Sequence, residues 1–546
     1  MFSRPEATAV SQPRSSRVPA FLYIALLLCT VLLFGLIRYR LRAMPLERDE
    51  GEYAYAGQLL LQRIPPYQLA YNMKLPGIYA AYAIVLAAFG ETPAGIHVGL
   101  LFINAAATLL LFCLTLNVFG RAAALAAAAG YALLSTSFSV MGFEAHATHF
   151  VVVPAILAIL LLRKALESQS GWRFFSSGLL CGIALLMKQH GIFFVFFCLF
   201  YLVASERKQK SKRSTLARHA AVLISGAVLP YAFSCWLLYR AGVFHEFWFW
   251  TVSYAGEYSK IGLHRAVHTF LENFRTAAEP AAPIWLLAAV GLSALLWNAR
   301  ARAESAFLGG LFCFSFLALC PGGYFRPHYF ILFLPVTAML AGVAVSLATE
   351  KLAARQKSRN LAIVPALIIV VAFGYSVWQQ REFYFFLDPD SAFRATYGDG
   401  PFLPAVKVAG YIKEHSPEDA RIAVLGSEPE IYFYAKRHSA TGYIYMYSLI
   451  GRQKYTAPMR EQMIGELKSN CPEYLIYVDV WDSWGDRNGD AELAAFLARL
   501  QLFMNEQYEK VGVADIGDST RYIWGDAAQT YLPQSSKVLY VLKRKN

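Results

Sequence analysis

Long apolar stretches separated by short polar ones recur along the chain as far as residue 378. A membrane-spanning helix needs about 20 mostly apolar residues, within a usual range of about 17–25. This alternation predicts an α-helical polytopic membrane protein with about eleven spans. Arginines rather than small residues follow the first stretch, so we interpret it as a retained span and not as a cleaved signal peptide. The predicted spans are 20–37, 95–117, 122–140, 148–162, 174–188, 190–205, 220–239, 281–297, 305–320, 329–348 and 361–378.

Basic residues concentrate in short loops between these spans, and their distribution predicts the topology. Cytoplasmic loops carry more lysine and arginine than exported loops do. The most basic loops are 163–173, 206–219, 298–304 and 349–360. Alternation of eleven spans places all of these loops on one side, which we interpret as the cytoplasm. The N-terminus, 1–19, is then cytoplasmic, and the outer loop 38–94 and residues 379–546 are exported.

The apolar segment 75–90 is treated differently from the spans. It has only about 15 residues, and Pro76 opens it. Apolar runs of about 10–14 residues are more often interfacial or re-entrant than spanning. We therefore predict a helix that lies at the outer membrane surface.

Beyond the last span the pattern changes, because prolines recur and the apolar runs shorten to strand length. Strands are predicted to alternate with helices, which is typical of an α/β domain. The sequence therefore predicts an extracytoplasmic α/β domain over 379–546. Its predicted strands are 421–426, 474–480 and 537–543, and its predicted helices are 402–415, 456–469 and 490–505.

The overall composition agrees with a membrane protein. Hydrophobic residues make up 57% of the chain and charged residues 16%, whereas an ordinary soluble domain has about 25% charged residues. The net charge of +13 arises mainly from the loops already described. We interpret it as a topology signal, so no nucleic-acid partner is predicted.

An acidic motif follows the first span almost directly and contains Asp49, Glu50, Glu52 and Tyr53. In a helix over 49–63, the i, i+3, i+4 spacing places Asp49, Glu52 and Tyr53 on one face. Acidic residues also favour the first turn of any helix through the helix dipole, which is the structural alternative. Carboxylates so close to a bilayer are costly and usually functional. We therefore interpret Asp49 and Glu50 as catalytic candidates, and Glu52 and Tyr53 as substrate-binding candidates.

Other candidates lie at predicted outer boundaries of the membrane. Each has an alternative role that is purely structural. Lys74 would extend to lipid headgroups, residues 144–149 would form polar contacts between helices, and Arg326 would anchor the chain at the membrane interface. Arginine and lysine can instead hold a phosphate, and closely spaced histidines can bind a metal ion. The candidates are Lys74, Arg326 and His328 for a donor phosphate; Glu144, His146, His264 and Arg265 for substrate; and His146 and His149 for a metal.

The order of these motifs resembles the GT-C superfamily of glycosyltransferases. The resemblance rests on an outward Asp-Glu pair after the first span, a Lys-x-Pro segment at Lys74, and an arginine-containing loop before a late span. It is strongest over 44–165 and continues to about residue 345. The most similar branch contains bacterial proteins like the protein O-mannosyltransferases and the lipid A aminoarabinose transferases (glycosyltransferase family 39, PMT-like).

The resemblance implies roles for individual residues. Asp49 matches the general base of that family, Glu50 the second acid of its pair, and Lys74 the lysine that contacts the donor phosphate. Glu52 stands where the aminoarabinose transferases carry arginine, and Arg326 is a candidate to supply that missing phosphate contact. No Asp-x-Asp pair occurs in the first outer loop, so a divalent metal cofactor is possible but not implied.

Together these features predict an integral-membrane glycosyltransferase of the bacterial inner membrane. It would move a hexosyl or pentosyl group, with inversion, from a polyprenyl-phosphate donor to an extracytoplasmic lipid, glycan or protein acceptor. Two alternatives remain open at this point: a transporter or flippase of lipid-linked sugars, and an envelope scaffold protein. A transporter would more often show internal repeats and broken helices, and neither pattern is evident in the sequence.

Overall fold

The computed structural model describes residues 19–258, 263–353, 363–451, 453–485, 491–517 and 519–545. Among these residues, seven helices are long and apolar enough to cross a membrane: Ala20–Arg40, Pro93–Phe119, Ala147–Ser168, Gln189–Lys208, Arg213–Arg240, His264–Trp297 and Leu334–Ala353. Shorter apolar helices are Pro76–Phe89, Arg121–Ser135, Gly171–Met187, Ser305–Leu317 and Val364–Gln379. Each of the eleven predicted spans coincides with one of these helices. The predicted helical membrane architecture is confirmed, while the number of spans stays a prediction. Apart from its last residue, the predicted cytoplasmic segment 1–19 lies outside the described residues.

Two predicted spans have bounds that differ from the helices of the structure. The span predicted over 122–140 ends as a helix at Ser135, and a single 3-10 turn, Phe138–Val140, follows it. The span predicted from residue 329 begins as an α-helix only at Leu334, after the 3-10 segment Pro327–Leu332. Pro335 explains this start, because proline lacks an N–H and fits best in the first turn of a helix.

Small residues let some membrane helices approach closely. A Cβ atom added at Gly178 would lie 1.9 Å from the Leu223 carbonyl oxygen, and one at Gly226 would lie 2.2 Å from the Phe175 carbonyl oxygen. Helices Gly171–Met187 and Arg213–Arg240 therefore touch backbone to backbone. This contact replaces the hydrophobic driving force, which is weak between helices in lipid.

The acidic motif forms a short helix, Arg48–Leu61, which we call the acidic helix. Its start is set by Glu47, whose side chain accepts a hydrogen bond from the Glu50 backbone N–H at 2.8 Å. Side-chain capping satisfies a backbone donor that the first turn would otherwise leave unpaired. The helix is enclosed by protein, since residues from Glu50 to Leu59 are all buried.

Helix Pro76–Phe89 follows the acidic helix and corresponds to the predicted interfacial segment. Pro76 occupies its first turn, a position where the missing N–H costs nothing. Gly77 lies against the end of helix Gly171–Met187, because an added Cβ would come within 2.6 Å of the Leu186 carbonyl oxygen. The packing fixes the position of Lys74, which lies just before this helix. The depth of the helix in the membrane stays a prediction.

The C-terminal region contains a six-stranded mixed sheet in the described chain, in the order β2-β1-β3-β6-β4-β5. The strands are β1 Arg421–Leu425, β2 His438–Ser439, β3 Tyr474–Asp479, β4 Tyr508–Asp515, β5 Arg521–Trp524 and β6 Val538–Arg544. Strands β2, β1 and β3 are parallel, and the remaining neighbours are antiparallel. The predicted α/β architecture is confirmed. Strands β2, β4 and β5 were not predicted, since two of them are short or at an edge and β4 continues directly from a helix.

Helices cover this sheet and link it to the membrane region. The helices of the C-terminal region are Arg381–Phe385, Pro389–Tyr397, Phe402–His415, Glu430–Ala435, Tyr447–Ile450, Thr456–Asn470, Trp481–Trp484, Ala491–Gln507 and Asp526–Thr530. The described part of 240–280 also contains helical elements, which are Phe244–Trp248, Phe249–Tyr254, Ala255–Tyr258 and Leu263–Ala278. The predicted helices 402–415, 456–469 and 490–505 all have counterparts here.

The C-terminal domain and the acidic helix share one hydrophobic core. Tyr55 of the acidic helix stacks on Tyr432, with ring centroids 5.1 Å apart, and its hydroxyl accepts a hydrogen bond from the Ser439 backbone N–H at 2.7 Å. Both tyrosine side chains are fully buried. The C-terminal domain is therefore part of the structure that holds the acidic helix in place.

Replacement of Gly51 by valine tests this packing. A Cβ atom at position 51 would lie 2.6 Å from the backbone nitrogen of Glu430, so the new side chain forces the domain and the helix apart. We expect a destabilisation of about 1–3 kcal/mol, the usual cost of overpacking, measured as a lower melting temperature of the purified protein in nanodiscs. Gly35→Val is the matched control, because an added Cβ at Gly35 meets nothing within 4 Å. Equal melting temperatures for the two variants would contradict the packing described here.

Candidate active site

A cavity of about 310 Å³ lies where the acidic helix, the membrane helices and the C-terminal domain meet. Arg48, Asp49 and Tyr53 of the acidic helix line it, together with Lys74. Segments 187–190, 321–329 and 445–448 and the aromatic residues Trp250 and Tyr254 contribute further wall residues. Its volume is at the lower end of the usual range for ligand pockets, about 300–1,000 Å³.

Asp49 and Lys74 form an ion pair in this cavity. Lys74 Nζ donates to Asp49 Oδ1 at 3.0 Å and to the Tyr53 hydroxyl at 3.0 Å. Burial opposes ionisation of Asp49, but the charges of Lys74 and Arg326 outweigh it and hold the pKa of the carboxyl well below its usual value. Asp49 is therefore ionised at neutral pH. The structure brings the predicted base and the predicted phosphate ligand together, although they are separated in sequence.

Four lysine and arginine side chains line the cavity among the described residues: Arg48, Lys74, Lys188 and Arg326. Lys188 is 9% exposed, and its Nζ lies 4.0 Å from the Tyr329 ring centroid. Arg326 lies over the Tyr324 ring at 5.7 Å. The wall of the cavity is therefore rich in basic side chains, which are donors suited to anionic groups such as phosphate.

Lys188 lies in the cavity wall, although no role was predicted for it. The residue lies directly after helix Gly171–Met187, at a boundary with the outer side in the predicted topology. A lysine at the end of an apolar helix is usually a snorkelling anchor. Only its position near Lys74 and Asp49 distinguishes Lys188 from such an anchor. The sequence around Lys188 therefore gave little indication that it belongs to the site.

Arg48 connects the cavity to the C-terminal domain and was also missed. Its Nη2 lies 3.2 Å from Glu428 Oε1, and its Nε donates to the Ser427 carbonyl oxygen at 2.6 Å. Glu428 is fully buried and also accepts a hydrogen bond from the Ser483 hydroxyl at 2.7 Å. This network positions the first turn of the acidic helix, where Asp49 lies.

Glu50 does not line the cavity and points away from it. Its Oε1 accepts a hydrogen bond from the Ala145 backbone N–H at 2.6 Å and lies 3.0 Å from His97 Nε2. His97 Nδ1 in turn lies 2.8 Å from the Arg42 carbonyl oxygen. The structure therefore separates the two acids of the predicted catalytic pair: Asp49 faces the cavity, whereas Glu50 holds the loop that carries residues 144–146.

That loop presents two further predicted candidates. Glu144 is buried, neither carboxylate oxygen has a hydrogen-bond partner among the described residues, and burial together with nearby Glu50 raises its pKa to about 8. His146 Nδ1 lies 3.9 Å from Asp49 Oδ2, and its ring stacks on His328 with centroids 4.0 Å apart. Burial lowers the pKa of His146 to about 4. His328 lines the cavity, whereas Glu144 does not.

A metal ion could be held by a different set of residues from the one predicted. Asp49, His146 and His328 each offer a ligand atom, and these atoms lie within 4.8 Å of one another. Carboxylate and imidazole groups are suitable ligands for Zn²⁺. His149 is outside this set, because its Nδ1 lies 3.3 Å from the Asn104 amide nitrogen. The donor set is thus compatible with a divalent cation.

Of the neighbours Glu52 and Tyr53, only Tyr53 lines the cavity, while Glu52 is buried in the protein. The carboxylate of Glu52 accepts hydrogen bonds from the Tyr79 hydroxyl at 2.6 Å and from the Asn72 amide at 2.8 Å. Burial raises the pKa of Glu52 to about 7, although Lys74 opposes the shift. Glu52 therefore holds Asn72 and Tyr79, which lie on either side of Lys74 in the chain.

His264 and Arg265 are not part of the cavity. Both are exposed at the start of helix Leu263–Ala278, and neither lines the wall described above. From the same region, Trp250 and Tyr254 do reach the cavity. Trp250 and Tyr254 belong to the element Phe249–Tyr254, whereas His264 and Arg265 belong to the separate helix Leu263–Ala278.

Comparisons with known proteins agree with this architecture. Residues 74–239 match the family model described as dolichyl-phosphate-mannose-protein mannosyltransferase. No curated protein sequence matches the chain significantly. The crystal structure of ArnT from Cupriavidus metallidurans bound to undecaprenyl phosphate is similar, with a TM-score of 0.59, 14% identity, and coverage of 96% of this chain and 98% of that chain.

A second solved structure has a similar fold. It is the oligosaccharyltransferase AglB from Archaeoglobus fulgidus in complex with an inhibitory peptide and a dolichol-phosphate. The match has a TM-score of 0.53 and 14% identity, and it covers 94% of this chain and 75% of that chain. At this identity the likeness establishes the fold. The chain has the architecture of the GT-C superfamily, and the resemblance predicted from its motifs is confirmed.

Proposed function

We propose that this protein, a membrane protein with the GT-C fold, is a glycosyltransferase that uses a polyprenyl-phosphate sugar. It would transfer the sugar, with inversion, to an extracytoplasmic lipid, glycan or protein acceptor. The observation that carries the proposal is the Asp49–Lys74 ion pair at 3.0 Å in a cavity that Lys188 and Arg326 also line. A base and several basic side chains in one cavity suit transfer from a phosphate leaving group.

The donor phosphate would bind among Lys74, Lys188 and Arg326. Arginine offers a planar fork of donors to phosphate oxygens, and lysine offers a compact charge. In the free protein Lys74 is already paired with Asp49. A bound phosphate would draw the Lys74 ammonium toward itself, and the pKa of Asp49 would then rise toward its usual value. Donor binding would thereby turn a weakly basic carboxylate into a better proton acceptor.

The transfer step would use Asp49 as the general base. The acceptor hydroxyl or amine would lose its proton to Asp49 while its oxygen or nitrogen attacks the anomeric carbon. The bond from that carbon to the phosphate oxygen would break on the opposite side, which inverts the configuration. The leaving polyprenyl phosphate would keep both electrons of that bond, and the basic side chains would stabilise its negative charge.

The remaining residues would position this machinery. Glu50, through the Ala145 backbone, and Glu428, through Arg48, hold the two ends of the region around Asp49. His328 and Tyr53 would contact substrate, since both line the cavity. No proposed step depends on the divalent cation that Asp49, His146 and His328 could hold.

We also propose the membrane orientation predicted from the basic loops. The cavity would open on the periplasmic side of a bacterial inner membrane, where the C-terminal domain lies, and the N-terminus would be cytoplasmic. A polyprenyl chain would remain in the bilayer while its phosphate reaches the cavity at headgroup level. This arrangement explains why an exported transferase needs no nucleotide pocket.

The test is transfer by the purified protein in nanodiscs. We expect labelled sugar to move from an undecaprenyl-phosphate-linked donor to an acceptor drawn from envelope lipids, glycans or peptides. Mass spectrometry of envelope glycolipids from cells with and without the protein would identify the product. Donor binding without transfer to any acceptor, combined with movement of the donor across the bilayer, would favour a flippase instead.

A further inference from the structure

A second cavity of about 280 Å³ lies beside the first one, between the helical region 244–254 and helix Thr456–Asn470 of the C-terminal domain. Its wall includes Tyr71, Glu246, Phe249, Trp250, Tyr455 and Gln462. The C-terminal domain supplies Tyr455 and Gln462 to this wall, and segment 244–254 supplies Glu246, Phe249 and Trp250. None of the steps proposed above uses this cavity.

Aromatic rings form much of this wall. The Tyr71 and Trp250 rings stack with centroids 5.6 Å apart and an angle of 21° between their planes. Phe249 meets Tyr455 edge to face at 5.0 Å. These pairs cover part of the ring surface, and the faces and edges that remain toward the cavity suit the C–H face of a sugar ring, which packs by apolar contact and against the ring quadrupole.

Polar groups lie between the rings. Glu246 Oε2 is buried and has no hydrogen-bond partner among the described residues, which is costly unless a ligand supplies a donor. Gln462 is held by Glu466, whose Oε1 accepts a hydrogen bond from Gln462 Nε2 at 2.8 Å, and by the Tyr443 hydroxyl at 2.9 Å. A carboxylate and an amide are suitable partners for hydroxyl groups, which donate and accept at once.

Tyr71 and Trp250 also line the first cavity, so the two cavities share a wall. The wall is firmly held: the Tyr71 backbone N–H donates to the Gly442 carbonyl oxygen at 2.6 Å, and the Tyr71 hydroxyl donates to Glu466 Oε1 at 3.3 Å. Gly442 lies flat against the ring, since a Cβ there would come within 2.1 Å of it. Tyr71 is also three residues from Lys74 in the chain. A ligand in the second cavity is therefore next to the proposed donor site.

We propose that the second cavity binds a saccharide ring of the acceptor, so that the acceptor is a glycan or a glycolipid headgroup. This inference rests on the proposed transfer function and deepens it. An aromatic wall and an unpaired buried carboxylate oxygen fit a sugar better than an acyl chain, which has no hydroxyl group to donate to that oxygen. The attacking hydroxyl would enter the first cavity near Asp49 while a ring of the same acceptor rests against Tyr455 and Phe249.

The experiment measures saccharide binding to the full-length protein in nanodiscs by saturation-transfer NMR. The probes are methyl glycosides and disaccharides of mannose, glucose, galactose and glucosamine. We expect at least one probe to bind through its ring protons. The variants Glu246→Gln and Tyr455→Ala are expected to weaken that binding about tenfold or more, which corresponds to about 1.4 kcal/mol. Neither residue lines the first cavity.

Controls separate this inference from the proposed function. Glu461→Gln makes the same chemical change as Glu246→Gln on an exposed residue paired with Arg499, and it should bind the probes normally. Lys74→Met should weaken undecaprenyl phosphate binding but leave saccharide binding unchanged. If the wild-type protein binds a saccharide but does not bind undecaprenyl phosphate, the proposed function is contradicted and the saccharide site is not.

Two results would overturn the acceptor subsite while leaving the transferase intact. One is the absence of binding for every probe by a protein that still binds undecaprenyl phosphate. The other is binding that survives both Glu246→Gln and Tyr455→Ala. Serine- or threonine-containing peptides could instead compete with the acceptor in the transfer assay while saccharides do not. That result would assign the cavity to a protein acceptor.

Discussion

Replacement of Asp49 by asparagine is expected to lower the rate of sugar transfer by about a hundredfold to ten-thousandfold, the usual contribution of a general base. The amide has nearly the same shape as the carboxylate but cannot accept the acceptor's proton. Because Lys74 loses its anionic partner in this variant, its ammonium is freer to contact the donor phosphate. Donor affinity should therefore stay the same or increase. The measurements are the single-turnover rate and the Kd for undecaprenyl phosphate, both in nanodiscs.

Asp399→Asn is a suitable control for the Asp49 variant. Asp399 is exposed, pairs with Arg394 at 3.2 Å, and lines neither cavity. We expect wild-type transfer from this protein. Substantial transfer by Asp49→Asn, within tenfold of the wild type, would remove Asp49 from the role of base. A large loss of donor binding would assign it to binding instead.

Lys74→Met is expected to weaken donor binding and to lower transfer by about a hundredfold to a thousandfold, the range observed when one charge-stabilising group is removed. Methionine preserves the length of the side chain but removes the charge that would stabilise the leaving phosphate. The same change leaves Asp49 buried without its closest cation. The melting temperature should be measured alongside the rate, so that a loss of folded protein is not read as a loss of catalysis.

The Lys74 variant also carries a pH signature. In the wild type the cation holds the pKa of Asp49 below its usual value, so the base stays ionised as the pH falls through the normal carboxyl range. Without the cation, burial dominates and the pKa of Asp49 rises. The kcat/KM of the variant, which reports the free enzyme, should therefore decline at a higher pH than that of the wild type as the solution is acidified. An unchanged acid limb would show that Asp49 is not the group that limits the rate there.

Lys436→Met provides the matched control for Lys74→Met. Lys436 is exposed and pairs with Glu91 at 3.2 Å, away from both cavities. Its replacement should change neither donor binding nor the pH profile. A scaffold protein would tolerate the loss of Asp49 and Lys74 together, whereas a flippase would lose donor movement in the Lys74 variant and keep it in the Asp49 variant.

The acidic motif shows which parts of the site the local sequence pattern predicted and which it did not. Asp49, Glu52 and Tyr53 were predicted to share a helical face, and Asp49 and Tyr53 do contact the same ammonium group. Glu50, the next residue, was predicted as a catalytic partner and instead faces His97 and Ala145. Adjacent positions on a helix point about 100° apart, and in this helix that angle turns Glu50 toward His97 while Asp49 faces the cavity. The resemblance assigned both residues to a pair, but geometry separates them.

Membrane helices and the α/β domain followed from the sequence alone, because the length of an apolar run and its spacing of turns are local properties that water and lipid impose directly. The cavities depended on the tertiary structure. Lys188 and Glu246 are ordinary boundary or loop residues in the sequence, and only packing brings Lys188 to the cavity of Asp49 and places Glu246 beside Tyr71 and Trp250. Electrostatic and hydrogen-bonding chemistry depends on distances of a few ångströms between segments far apart in the chain, which no local pattern encodes.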